Sequence, residues 1–192
     1  MDSTALTVTT EPAGEPVTLA EAKDQVHELT SNHDDYLTTL IKVARQTAER
    51  YTRRQFITAT YEYRLDKFPD VIEVPRPPTQ SITSIQYVDT SGTTQTLASS
   101  YYTLDKYSLP ARIVEAYGKS WPTVRDHINV VTVTFKAGYG DAASDVPEDL
   151  KHAMKLIIDE LHRHRGLTSA EVLREVPHAR WLLDFFRVQE AT

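Results

Sequence analysis

The chain has 192 residues, 40% of them apolar, and a formal net charge of −6, a composition typical of a globular domain of ordinary size. No apolar run approaches the roughly 18 residues that a membrane-spanning helix needs, so no membrane protein is expected. The absence of cysteine excludes disulfides and thiolate metal sites and is typical of a reducing cytosol. The acidic balance argues against tight DNA wrapping, and the N-terminus has no secretion-signal pattern.

Changes in hydrophobic periodicity divide the chain into consecutive parts. A period of 3.6 residues predicts helices near both ends, and a period of two predicts strands in the middle. We therefore predict an α+β fold that is mostly an α-helical bundle with an antiparallel β insertion, in a single domain. Its parts are an N-terminal arm (1–17), a helical part (18–57), the β insertion (58–137), a helix (146–166) and a C-terminal tail with a short helix (167–192).

The helical part begins after an arm rich in Thr, Glu and Pro, which we expect to be ordered only if something holds it. Thr18 and Glu21 form a capping-box pattern, and the helix that they start is predicted to carry Leu29 on its apolar face and to end near residues 30–32. A second helix is predicted from Asp34 to Arg54. Its acidic residues lie at the start and its basic residues at the end, which suits the helix dipole.

The β insertion is predicted from alternating polar and apolar residues that begin at Thr58. Three prolines in Pro75–Pro78 lack an amide donor and are expected to stop strand pairing there. The segment Thr90–Gly92 has the composition of a hairpin turn. Strands are expected near residues 58–65, 82–88, 94–97, 101–104, 112–116 and 129–135.

A glycine-rich turn is predicted to end the last strand and lead into the third helix. Gly138, Tyr139 and Gly140 form this turn, for which a structural role is favoured over phosphate binding because no Lys-Ser/Thr pair follows. Pro147 suits the first helical position, and Gly166 suits a left-handed C-terminal cap.

No motif predicts catalysis, a metal or a cofactor. There is no Gly-x-Ser-x-Gly nucleophile turn. His162 and His164 are two positions apart and face different sides of the helix, while Glu160 and His164 share a face without a third ligand. The predicted sets of catalytic, metal-binding and cofactor-binding residues are therefore empty.

The C-terminal tail carries the one candidate interaction surface. Trp181, Leu182, Phe185 and Phe186 are predicted to form one helical stripe, followed by Arg187. The stripe either closes the core of this chain or docks on another chain, where aromatic anchors dominate binding energy. The sequence leaves both readings open.

A family resemblance spans nearly residues 17–187 and rests on four stretches, on their order and on the distances between them. The stretches are Val17–Lys23, Ala44–Tyr51, Phe135–Gly140 and Val146–Lys151. Together they resemble the head–tail connector (adaptor) proteins of tailed double-stranded DNA phages and phage-like particles. Longer members of that family carry an enlarged β portion between the second and third helices.

The resemblance implies a structural, non-enzymatic subunit made in the host bacterial cytoplasm and located in the virion neck. It implies a homo-oligomeric ring of about twelve copies that contacts the portal protein and, on its other face, a stopper or tail-completion protein. On this view, Trp181, Phe185 and Phe186 are portal-contact candidates. DNA would pass through the channel without sequence-specific binding, and carboxylates lining it would avoid trapping phosphates.

An alternative is a small nucleic-acid-binding or packaging accessory module. Such a module needs a basic face, and the basic clusters in the sequence are short helix ends at Arg50–Arg54 and His162–Arg165. A subunit of a ring should assemble together with the portal, whereas an enzyme should keep its oligomeric state and turn over a substrate.

Overall fold

A computed structural model of the chain describes residues 5–164 and 169–188. The chain divides into two compact units. The β unit contains the described residues of Met1–Glu11 and Thr58–Gly138, and the helical unit contains those of Pro12–Ile57 and Tyr139–Thr192. The single-domain organisation stays a prediction.

The β unit consists of eight strands among the described residues, all paired antiparallel. The five-stranded sheet has the order β1-β2-β8-β4-β5 and the three-stranded sheet the order β3-β7-β6, in the numbering that follows. The strands are β1 (Leu6–Thr10), β2 (Ala59–Leu65), β3 (Ile72–Val74), β4 (Thr79–Val88), β5 (Thr94–Thr96), β6 (Tyr102–Asp105), β7 (Ala111–Glu115) and β8 (Val131–Ala137).

The core of the β unit is built on the alternating residues of its central strand. Val131, Val133 and Phe135 of β8 are fully buried, and Ile85 of β4 and Ile113 of β7 belong to the same apolar cluster. Prolines end β3 and delay β4 until Thr79, as the missing amide donors predict. The hairpin between β4 and β5 is also confirmed, with Gly92 at φ +88°.

The N-terminal arm contains a strand that the sequence did not reveal. Leu6 pairs with Tyr63 and Val8 with Tyr61, so the arm is held in place by β2. Four of the five residues of β1 are exposed. An edge strand that buries so little shows no clear alternation, which explains why periodicity missed it.

The helical unit has five α-helices among the described residues, and most were predicted. They are α1 (Leu19–Val26), α2 (Asp34–Thr52), α3 (Glu148–Arg163), α4 (Ser169–Glu175) and α5 (Pro177–Asp184). Its core contains Leu37, Phe56, Leu150, Met154 and Ile157, all fully buried. The part of the chain that the structure describes contains no helix long and apolar enough to cross a membrane.

The capping box of α1 is confirmed, but its predicted length is wrong. The Glu21 amide donates to Thr18 Oγ1 at 3.2 Å, and the Thr18 amide donates to Glu21 Oε2 at 2.8 Å. The helix ends at Val26 because His27 adopts a left-handed conformation with φ 56°. Leu29 therefore leaves the apolar face and is 97% exposed.

The prediction of a mostly helical bundle is wrong. The strands occupy a share of the chain comparable to that of the helices, so the fold is α+β without helical predominance. The strands occupy more of the chain than predicted because β1 and the short β3 were not predicted and β4 begins before residue 82, whereas α1 is shorter than predicted. The helix α4, which lies in the C-terminal tail, was not predicted either.

A buried ion network joins the segment before α1 to α2. Arg45, 6% exposed, donates through Nε to Glu15 Oε2 at 2.7 Å and through Nη1 to Glu49 Oε2 at 2.9 Å. Glu49 Oε1 accepts from Gln55 Nε2 at 2.8 Å and from the Phe56 amide at 3.0 Å. Burial alone would lower the pKa of Arg45, but its bonds to the two carboxylates outweigh burial and raise that pKa.

Candidate functional site

The candidate interaction surface lies on α5, the last helix described. Proline at the start of α5 supplies a preset backbone angle, and Ala179 and Leu183 bury one face of the helix completely. Leu182 and Phe186 are partly buried against the same core. The apolar residues of α5 therefore hold the helix against the core of the helical unit without a partner chain.

The predicted stripe divides into two faces because its members are not all one helical turn apart. Trp181 and Phe185, four residues apart, are 62% and 69% exposed, whereas Leu182 and Phe186 pack inward. The rings of Trp181 and Phe185 meet edge to face, with centroids 4.8 Å apart and an interplanar angle of 85°. These two side chains form what we call the aromatic pair.

Polar contacts fix the end of α5 to the end of α2. Tyr51 donates a hydrogen bond to Asp184 and lies 5.3 Å beneath the Arg187 guanidinium. Arg54 Nε donates to the Phe186 carbonyl at 2.6 Å. These contacts hold the backbone that carries the aromatic pair. They also place the Arg187 guanidinium against the Tyr51 ring of its own chain.

The Gly138–Gly140 turn has a structural explanation at each residue. Gly138 has φ 136°, which favours glycine, and its amide donates to the Pro78 carbonyl at 2.9 Å. The Tyr139 amide donates to the Phe56 carbonyl at 2.9 Å. A side chain at Gly140 would overlap the carboxylate of Asp145.

Two further predicted positions concern the ends of α3. Pro147 was predicted at the first helical position, but it lies at the N-cap, one position before α3 begins at Glu148, and its carbonyl accepts from the Leu150 amide at 3.0 Å. The predicted cap Gly166 lies outside the described residues.

The structure brings together a group of metal-ligating side chains that sequence reasoning missed. One ligand atom of each of Glu28, His33 and His162 lies within 4.8 Å of the others. The pair that the sequence had singled out, Glu160 and His164, forms a contact of 2.8 Å and is not part of that group. No sequence pattern links His33 to His162, because the fold alone brings them together.

Comparisons with known proteins reveal a shared fold. No family model matches the sequence, and no curated protein is significantly similar to it. Solved structures that match are the neck of an empty gene transfer agent (GTA) particle computed with C6 symmetry (TM-score 0.77, 21% identity) and the virion of a native GTA particle (0.77, 22%). A third is the neck of a native GTA particle computed with C12 symmetry (0.72, 21%). Each match covers 97% of this chain and 97% of the other, so the likeness of fold extends over nearly the whole length of both chains.

Proposed function

We propose that the chain is a head–tail connector (adaptor) subunit in the neck of a phage-like particle. The observation that carries this proposal is the likeness of fold over 97% of both chains to proteins in GTA necks and virions. Two of those necks were computed with C6 and C12 symmetry, which supports a ring of about twelve copies. In this role, the protein is a mechanical coupling and not an enzyme.

The ring would lie beneath the portal protein, with a stopper or tail-completion protein on its other face and DNA passing through its channel. The net charge of −6 supports free passage, because a lining with carboxylates does not attract phosphates. A strongly basic channel surface in an assembled ring would contradict this part of the proposal.

The aromatic pair is our candidate for the portal contact. An aromatic side chain buries roughly 150–250 Å² when fully covered, so burying the exposed parts of Trp181 and Phe185 removes about 200–330 Å² from water. At about 25 cal/mol per Å², this contributes roughly 5–8 kcal/mol per subunit before the costs of ordering. That is sufficient for a contact that is repeated around a ring.

A nucleic-acid-binding or packaging accessory role has less support. Arg45, Arg64, Arg112 and Arg163 each form an ion pair with a carboxylate of the same chain. Guanidinium groups occupied in this way are less available for phosphates, and the overall charge is negative.

The test is complementation of particle assembly in cells whose own copy of the gene is deleted. We expect the wild-type chain to restore joined, DNA-delivering particles and the double variant Trp181→Ala/Phe185→Ala to leave DNA-filled heads without tails. Leu29→Ala is the matched control, because it removes a 97% exposed apolar side chain from the same unit. Normal particles in the deleted cells would overturn the neck role, and full activity of the double variant would overturn the portal contact alone.

A further inference from the structure

We propose that Glu28, His33 and His162 bind a divalent transition-metal ion of the Zn²⁺ class. Glu28 and His33 lie in the connection between α1 and α2, and His162 lies in the last turn of α3. One ligand atom from each lies within 4.8 Å of the other two. An ion held there would join the connection to the end of α3 within the helical unit.

The chemistry of the three donors suits zinc. Two imidazoles and one carboxylate are a ligand set that zinc takes in proteins, at about 2.0–2.2 Å from the metal. Ligand atoms around a tetrahedral ion are about 3.4 Å apart, so atoms as far as 4.8 Å apart have to approach by at most about 1.4 Å, and Glu28 Oε2 and His33 Nδ1, now 2.9 Å apart, have to separate by about 0.5 Å. Side-chain rotation is enough for such a shift. Three protein ligands leave a fourth position for water.

A second observation points to a ligand at this place. His162 Nε2 is buried and has no hydrogen-bond partner. A buried polar nitrogen without a partner is rare and costs free energy, whereas a metal bond would satisfy its lone pair. The nearest rings are those of His33, with centroids 6.3 Å apart, and Tyr36, at 6.2 Å.

Glu28 is already oriented as a ligand. Its Oε1 accepts from the Thr30 amide at 3.1 Å and from the Thr30 hydroxyl at 2.6 Å, while Oε2 faces His33 Nδ1 at 2.9 Å. Second contacts of this kind orient metal ligands in known sites.

A simple ion pair between Glu28 and His33 is the competing explanation, and the chain contains a matched example of one. His164 Nδ1 lies 2.8 Å from Glu160 Oε1 at the C-terminal end of the helix that contains His162, but this pair has no third ligand in the described residues. The two pairs therefore differ in the presence of His162, which makes His164 a control.

The experiment is calorimetric titration of the full chain with ZnCl₂ after chelator treatment and removal of any purification tag. We expect one ion per chain, and we expect His162→Gln and Glu28→Gln each to raise the dissociation constant by at least about 100-fold. His164→Gln should leave it within about threefold of the wild-type value. Cobalt(II) should give visible absorption bands that these two ligand variants lose.

Circular dichroism of each variant shows whether it folds. If His162→Gln does not fold, Glu28→Gln tests the proposal by itself, because Glu28 lies in a loop. Failure of the wild-type chain to bind zinc would overturn the proposal, as would binding that neither variant weakens. The site is independent of the neck role, so either proposal can fail without the other.

Discussion

Replacing Arg45 with methionine is expected to destabilise the helical unit by about 3–5 kcal/mol. Arg45 is 6% exposed and its guanidinium binds Glu15 and Glu49, and Glu49 is itself only 7% exposed. Methionine fills much of the same volume but removes an ion-pair partner of a buried carboxylate. The expected loss is that measured when one partner of a buried ion pair is removed.

The assay is urea unfolding followed by far-UV circular dichroism, because the described α-helices all belong to the helical unit. Arg50→Met is the matched control, since Arg50 is an exposed residue of the same helix and its loss should change stability by no more than about 0.5 kcal/mol. Adding Glu49→Gln to Arg45→Met removes the buried negative charge, so the double variant should be more stable than Arg45→Met alone.

Two results would refute this reasoning. One is a loss for Arg45→Met no larger than that for Arg50→Met, which would mean that the network contributes little. The other is a double variant less stable than Arg45→Met, which would mean that the buried charge of Glu49 is not the source of the loss.

Two further predictions concern local structure. Hydrogen bonds, that of the Ser91 hydroxyl first among them, lower the pKa of Asp89 to about 2. The stability that Asp89 contributes to the hairpin should therefore be complete above about pH 4 and be lost as the pH falls toward 2. Amide exchange should show this loss in the wild type but not in Asp89→Asn. Gly140→Ala places a Cβ 2.6 Å from that of Asp145 and should lower the free energy of unfolding in urea by about 1–3 kcal/mol. The control Gly14→Ala meets nothing within 4 Å and should change it little. Equal losses of stability in the two variants would contradict the steric explanation.

The sequence predicted the elements whose bounds depend on residues that are close together along the chain. Thr18 and Glu21 start α1 through their own hydrogen bonds, and the three prolines of Pro75–Pro78 separate β3 from β4 because they lack donors. The long apolar faces of α2 and α3 were equally visible, since burial of one side repeats every 3.6 residues.

What the sequence did not reveal depends on contacts between distant residues. The strand β1 exists through its pairing with β2, whose partner residues lie 50 to 57 positions along the chain, while four of the five residues of β1 are exposed. His33 and His162 meet only because α2 packs on α3. The division of the α5 stripe into the exposed Trp181 and the packed Leu182 was likewise decided by where the core lies.

The measurement that tests the neck role most directly is electron cryomicroscopy of the necks of particles purified from cells that encode this chain. We predict a ring of about twelve copies beneath the portal, each fitting the α+β fold described above, with Trp181 and Phe185 covered by portal density. A neck built without this fold, in particles whose protein content lacks this chain, would contradict the account.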